Sequence, residues 1–254
     1  MRVVDIVSGS NSSNLQKGEL IRNIKVEIIE NPSANKHELN VGSLIGIARR
    51  GFGSEISEED VVRHTLCVDF LHLLYLEGQL AGFASYNRRN IEGVSKQKIS
   101  LTKIDVLYLS GIVIDNQHQK KGLYGVSIRT AVTNELPAYI AMRTQNPSVY
   151  SSTLLLEFIM RLYPDLSLDL PPQDVISIAR ELSKELGMVK MDQQTFVERR
   201  TYGQSLYTHE PKSGDSRINT LFDVQLGLNK NSGDSVLLIG EIDISAVLKS
   251  NLRQ

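Results

Sequence analysis

Apolar residues form a nearly continuous run at the centre of the chain, and a polar loop and a helical pattern follow it. Residues 106–114 are rich in β-branched side chains, which is typical of a strand covered on both faces. A polar break extends over residues 115–121, and Gly122 then opens a stretch whose apolar positions repeat with helical spacing. The pattern therefore predicts a strand, a basic glycine-containing loop and a helix.

Before this central segment, the pattern predicts strands that alternate with helices. Ser57 precedes three acidic residues, an arrangement typical of a helix start. His64 follows on that helix and is predicted to be a surface or groove residue rather than a metal ligand. Glu77-Gly78 predicts the turn of a β-hairpin. The predicted elements are a strand at 21–29, helices at 39–50 and from 57, hairpin strands at 70–75 and 80–86, and a polar loop at 88–103.

After the central segment, turn residues separate four further predicted elements. Asn146-Pro147 breaks one apolar run, and Gly187 is the expected C-terminal stop of an amphipathic helix. The predicted elements are a strand at 138–143, helices at 151–162 and 173–186, and a hairpin of strands 220–228 and 235–242.

Composition narrows the class of protein. The 254 residues are 41% hydrophobic, enough for a packed core, and the net charge of −1 argues against bulk attraction to nucleic acid. Cys67 is the only cysteine, so an internal disulfide and a cysteine-based zinc cluster are excluded, and the five histidines show no metal-ligand spacing. The sequence has no apolar run of about 18 residues and no signal-peptide core at its start. We expect a cytoplasmic protein without a metal, a membrane or a nucleic-acid partner.

The loop between the central strand and helix has the features of a phosphate-binding site. The first turn of a helix leaves backbone N–H groups without intrahelical partners, and the helix dipole adds partial positive charge there. Gly122 lets a ligand approach the backbone, and Lys120 and Lys121 add full charges. The patterns GxxxxGK[ST] and GxGxxG are both absent around Gly122. From these residues alone, an ordinary strand-to-helix turn with solvated lysines stays open as the alternative.

The same loop resembles the pyrophosphate loop of the GCN5-related N-acetyltransferases, Q/R-x-x-G-x-G/A. Gln119 and Gly122 match, whereas Tyr124 stands where a second Gly or Ala is expected and Gly125 comes one residue late. A hairpin before the central strand also resembles this family. The resemblance implies an α/β fold with a mixed twisted β-sheet flanked by helices. It implies a single domain over residues 1–254, with a recognisable body at 20–162, an inserted helix at 171–187 and a closing hairpin at 220–242.

The resemblance implies acetyl-coenzyme A as the acyl donor. Loop amides would hold its pyrophosphate, the end of the central strand would pair with the pantetheine arm, and Asn146 would lie near that arm. For Asn146 the alternative is that it only turns the chain with Pro147. The implied cofactor-binding residues are Ile112, Val113, Ile114, Gln119, Lys120, Lys121, Gly122, Leu123, Tyr124, Gly125 and Asn146.

The catalytic groups of the family match this sequence less well. A glutamate that often acts as base, fourteen residues before the first motif glycine, is replaced here by Tyr108. Tyr108 and Ser110 share a strand face and are candidates for ordering a water, although sheet packing explains both equally. Tyr150 is the candidate for protonating the leaving thiolate.

The resemblance therefore implies an N-acetyltransferase that acts by direct attack in a ternary complex. The acceptor would be a small-molecule or protein amine that the sequence does not specify. The missing glutamate leaves an alternative open, in which the fold is a non-catalytic acyl-coenzyme A sensor or an interaction module.

Overall fold

The computed structural model describes residues 2–8, 22–53, 56–94, 101–188 and 190–251, in which strands and helices alternate. The strands are β1 Arg2–Ser8, β2 Arg22–Glu30, β3 Phe70–Leu76, β4 Gln79–Val94, β5 Leu101–Ile114, β6 Tyr139–Thr144, β7 Ile159–Tyr163, β8 Val197–Glu198 and β9 Ser235–Ile242. The α-helices are α1 Val41–Phe52, α2 Glu58–Leu66, α3 Leu123–Glu135, α4 Pro147–Leu154, α5 Gln173–Glu185, α6 Ser216–Thr220 and α7 Ile244–Asn251.

The chain forms two compact units. The first comprises the described parts of Met1–Tyr86 and Ser110–Thr130, and the second those of Asn87–Leu109 and Ala131–Gln254. Strands β4 and β5 and helix α3 each contribute residues to both units. The single domain expected over the whole chain stays a prediction.

The first unit is built on antiparallel strands. β1 pairs with β2, β2 with β3, and β3 with β4, so the predicted hairpin at 70–86 is confirmed. Its turn uses positive φ values at both Glu77 and Gly78, of 53° and 79°. Such a turn matches the right-handed twist of the flanking strands.

Two capped helices cover one face of this sheet. Asn40 and Ser57 accept hydrogen bonds from the backbone N–H groups of Ser43 and Asp60, which satisfies donors in the first turns of α1 and α2. The predicted helices at 39–50 and from 57 are thereby confirmed. The apolar sides of the two helices and of the sheet share one buried core, which includes Leu44, Ile47, Val61, Leu71, Phe83 and Val113.

Glycines bring two elements close to the end of β5. A Cβ at Gly51, near the end of α1, would lie 2.6 Å from Val113 Cγ1 and 2.8 Å from the Ile114 carbonyl oxygen. A Cβ at Gly82 in β4 would lie 2.5 Å from the Val113 carbonyl oxygen. All three distances are too short for real Cβ contacts, so only glycine fits without a shift of the structure.

We therefore expect Gly51→Ala to destabilise the protein by about 1–3 kcal/mol, the usual cost of overpacking. Gly46 in the same helix is the matched control, because a Cβ there meets only the flexible Arg50 side chain, at 3.3 Å. Gly46→Ala should stabilise by up to about 1 kcal/mol through helix propensity. Urea unfolding of both variants measures the difference, and equal free energies would contradict the close approach of α1 to β5.

The second unit contains a parallel pair of strands as well as antiparallel pairs. β5 and β6 pair in parallel, with Val106 opposite Tyr139, while β9 is antiparallel to β6, β7 and β8. Helix α5 packs its apolar side on this sheet in a core that includes Tyr108, Val175, Ile178, Leu182 and Ile239. The predicted fold class, a mixed sheet flanked by helices, is confirmed.

Two predicted elements in the second unit are wrong because strand pairing overrides the local pattern. A helix was expected over 151–162, but α4 ends at Leu154 and the chain turns through Leu155, whose side chain is 83% exposed, before β7 pairs with β9. A loop was expected over 88–103, but β4 continues to Val94 and β5 begins at Leu101. Burial of Ile91 and Ile104 in the core accounts for these strand extensions. Residues 95–100 of that expected loop lie outside the described residues.

The predicted closing hairpin is also wrong, although one of its strands is present. β9 covers the second expected strand, at 235–242, but 220–228 contains the end of α6 and a π-helical turn, Leu221–Gln225. Leu221 and Phe222 are both fully buried, which explains the apolar run in this segment. The amphipathic helix at 173–186 is confirmed as α5, and Gly187 follows it with a φ of 67°. No helix within the described ranges is long and apolar enough to cross a membrane.

Candidate cofactor-binding site

The loop between β5 and α3 lies in the first unit and begins at a buried carboxylate. Asp115 donates its backbone N–H to the Ala81 carbonyl at 2.9 Å, which continues the contact between β5 and β4. Its side chain is 2% exposed and accepts a hydrogen bond of 2.6 Å from Arg50 Nε. It also accepts the Gln117 backbone N–H at 3.3 Å. These bonds hold the first turn of the loop against α1 and β4.

Gln119 holds the middle of the loop. Its side-chain amide nitrogen donates to the carbonyl oxygens of Ile114 and Gly51, each at 3.3 Å. The first motif residue thus joins the loop to the ends of β5 and α1. The tight approach of Gly51 to β5 makes this double contact possible, and sequence reasoning missed it because Gly51 lies far from Gln119 in the chain.

Backbone conformation shapes the segment before α3 as an anion-binding concavity. Lys120 and Gly122 both have positive φ values, 61° and 88°, on either side of Lys121. Successive N–H groups in a turn can form a concavity that binds anions. A Cβ at Gly122 would meet no atom of the described residues within 4 Å, which leaves open space beside the backbone. Lys120 is exposed, and Lys121 Nζ lies 3.3 Å from His118 Nδ1.

Helix α3 adds its N-terminal amides to this concavity. Val126 N–H donates to the Gly122 carbonyl, so the N–H groups of Leu123, Tyr124 and Gly125 precede the first intrahelical donor. The Leu123 side chain is 1% exposed and anchors the turn in the core, so only its backbone is available to a ligand. Two lysines, the helix dipole and these amides together suit a phosphate or pyrophosphate group.

Successive side chains of β5, the strand that leads into the loop, lie on opposite faces of the sheet. Val113 is buried in the core beneath α1 and α2, whereas Ser110, Ile112 and Ile114 are half-buried. On the Val113 side, Gly111 leaves space that His64 of α2 borders: a Cβ at Gly111 would lie 4.0 Å from His64 Nδ1. Sequence reasoning placed His64 on a surface or groove but had no means of pairing it with this strand.

Tyr108 lies in the second unit, in a buried environment. Its side chain is 4% exposed, and burial raises the pKa of its hydroxyl, although the nearby Arg143 guanidinium lowers that pKa in part. Arg143 Nε in turn donates to the Tyr202 hydroxyl at 3.1 Å. The Tyr108 hydroxyl is therefore protonated at neutral pH and suits hydrogen bonding rather than proton abstraction. Its catalytic role, and that of Ser110, stay predictions.

Asn146 and Tyr150 also belong to the second unit and both serve its local structure. Asn146 caps α4 by accepting the Ser148 N–H at 2.8 Å. The buried Tyr150 hydroxyl donates to the Pro164 carbonyl at 3.0 Å, and burial raises the pKa of this phenol. Their proposed roles near the pantetheine arm and at the thiolate stay predictions. No group of three metal-binding side chains was found within the described ranges.

The structure is similar to known N-acetyltransferases at low sequence identity. The ribosomal-protein-S18-alanine N-acetyltransferase from Escherichia coli matches over 86% of this chain and 94% of its own, with 12% identity and a TM-score of 0.43. A Bacillus subtilis acetyltransferase in complex with CoA matches over 86% and 98%, with 15% identity and a TM-score of 0.42. A GCN5-related N-acetyltransferase from Kribbella flavida matches over 50% and 32%, with 11% identity and a TM-score of 0.36.

No protein-family model and no curated protein sequence matches this chain. All three TM-scores lie below 0.5.

Proposed function

We propose that the protein is an acyl-coenzyme A-dependent N-acyltransferase that moves an acetyl group from acetyl-coenzyme A to an amine. The observation that carries this proposal is the loop at 119–125, where positive φ values at Lys120 and Gly122 precede the first turn of α3. This arrangement offers backbone N–H donors and two cationic side chains that could bind the cofactor's pyrophosphate. Gln119 contributes by holding the loop in place.

The strand before the loop supports the pantetheine part of the proposal. The parallel ladder between β5 and β6 extends from Val106 to Leu109, and β5 then continues for five residues to Ile114. We propose that the backbone of Ile112–Ile114 binds the two amides of the pantetheine arm as an added strand would. An arm bound in this way would lead from the phosphate loop back along β5.

Acyl transfer then needs remote anchoring of the donor, a neutral amine and protonation of the departing thiolate. Loop binding would supply the first of these. We propose that Tyr108 and Ser110 order a water, and that Tyr150 protonates the thiolate. The acceptor in this proposal is a small-molecule or protein amine.

Calorimetric titration of the unmodified protein with acetyl-coenzyme A tests the proposal. We expect a dissociation constant in the micromolar range that weakens as salt screens the phosphate contacts. A parallel thiol-release assay with a panel of amines should identify an acceptor. Absence of binding at millimolar acetyl-coenzyme A would refute the proposal. Binding without thiol release for any amine would favour a sensor of acyl-coenzyme A instead.

A further inference from the structure

We propose that His64 is the general base that deprotonates the acceptor amine, and this inference rests on the function proposed above. Three features carry the inference: the position of His64 over Gly111, the distance of Gly111 from the phosphate loop, and the proton that the reaction must remove.

The first feature is local geometry. His64 lies in the last turn of α2, one turn after the buried Val61, so it faces the sheet and is half-buried. Gly111 lies on the same side of β5 as Val113, and His64 Nδ1 is 4.0 Å from the position that a Cβ on Gly111 would take. Because Gly111 has no side chain, a small group resting on this strand can contact the imidazole directly.

The second feature is the reach of the cofactor. An extended pantetheine arm with two amides spans about 15 Å, the length of about four to five strand residues at 3.3 Å each. Counted back along β5 from its end at Ile114, this length reaches Ser110 and Gly111. The thioester of a coenzyme bound by the loop would therefore lie beside His64.

The third feature is the chemistry. An acceptor amine is an ammonium ion at neutral pH and cannot attack until it loses a proton, and imidazole is the side chain whose ordinary pKa suits that transfer. The neutral amine then forms the C–N bond with the thioester carbon, and the C–S bond breaks. One of the two protons on the attacking nitrogen balances the proton that the thiolate takes up as it leaves as a thiol, and the imidazolium returns its proton to solvent. Acetyl thioester and ammonium ion thus give amide, thiol and one proton.

Charged groups around His64 come from its own helix and from α1. Asp60 is one turn earlier and lies close enough for the His64 charge to lower its pKa, while Arg63 forms an ion pair with Asp60. Arg49 of α1 pairs with Glu58 at 3.4 Å. Gly111 and Val113 on the facing strand carry no charge, and Asp60 is a carboxylate placed to stabilise the imidazolium formed in the reaction.

Two measurements test the inference. In NMR spectra that show the five histidine rings, the signal that disappears in His64→Gln is assigned to His64. That signal should move with acetyl-coenzyme A but not with adenosine 3′,5′-bisphosphate, which lacks the pantetheine arm. With the acceptor from the amine screen, His64→Gln should lower kcat by about 100-fold or more while the KM for acetyl-coenzyme A stays within twofold. The acidic limb of the pH–kcat profile should disappear, and imidazole should partly rescue His64→Ala.

His209 is an exposed histidine of the second unit, and His209→Gln is the matched control. This variant should leave all of these quantities unchanged. If acetyl-coenzyme A does not bind the unmodified protein, the proposed function and this inference fail together. If it binds and the His64 signal does not move, or if His64→Gln retains kcat and the acidic limb, this inference fails while the proposed function stands. A shift of the His64 signal supports the placement even before an acceptor is found.

Discussion

Replacement of Gly122 by glutamate is expected to weaken acetyl-coenzyme A binding by at least 100-fold, or about 3 kcal/mol. The new side chain would enter the open space beside the loop backbone and place a carboxylate against the pyrophosphate. Two like charges 4 Å apart repel by about 4 kcal/mol at the effective dielectric constant of a protein surface. The φ of 88° at this position adds strain for any side chain. Calorimetric titration measures the loss directly.

Two controls separate charge from strain and from general destabilisation. Gly122→Ala carries the strain without the charge and should lose clearly less affinity. Gly187 has a positive φ of 67° and open space around its Cβ position, but it follows α5 in the second unit. Gly187→Glu should therefore bind acetyl-coenzyme A as the unmodified protein does. Equal affinity of the two glutamate variants would show that the loop does not hold the cofactor's phosphates.

Acidification from pH 7 to pH 5 is expected to cost about 2 kcal/mol of stability through one buried histidine. His72 in β3 is fully buried, its Nδ1 lies 3.2 Å from Ser127 Oγ, and its Nε2 has no hydrogen-bond partner among the described residues. Burial lowers its pKa from 6.5 to about 3. The folded protein therefore keeps this imidazole neutral, while the unfolded chain takes up a proton as the pH falls below about 6.5.

The direction of the pH dependence of stability follows from that difference in bound protons. Stability is complete above the unfolded pKa and declines as the pH falls from about 6.5 towards 3. His72→Leu removes the titrating group and leaves Ser127 hydrogen-bonded to the Tyr86 hydroxyl at 2.8 Å. Urea unfolding at pH 7 and pH 5 should show a pH-dependent loss that is smaller by about 2 kcal/mol in the variant than in the unmodified protein. An equal loss in both proteins would mean that His72 takes up a proton in the folded state.

Local patterns predicted the elements around the candidate site well. The apolar run, the polar break and the helical spacing after Gly122 correspond to β5, the loop and α3. Helix caps and turns were predicted equally well, as at Ser57 and at the Glu77-Gly78 hairpin, because each depends on the chemistry of a few adjacent residues. The motif at Gln119–Gly122 belongs to the same class of local information.

Predictions failed where contacts with residues distant in the chain decide between a helix and a strand. The apolar residues at 159–162 fit a helix in isolation, but pairing with β9 makes them a strand. The run at 220–228 looked like a strand, but burial of Leu221 and Phe222 holds it in helical turns. Short apolar segments satisfy both periodicities, so their conformation depends on what covers them.

The sequence by itself determined the order of elements and the basic loop, because hydrophobic period, capping residues and glycine positions act over only a few neighbours. Only the tertiary structure decided that Gly51 and Gly82 press against the end of β5, that Gln119 joins three separate segments, and that His64 faces Gly111. Except for the Gln119–Ile114 bond, these contacts join residues tens of positions apart. They form because folding of the whole unit buries apolar surface. The area buried cannot be calculated from any short stretch of sequence.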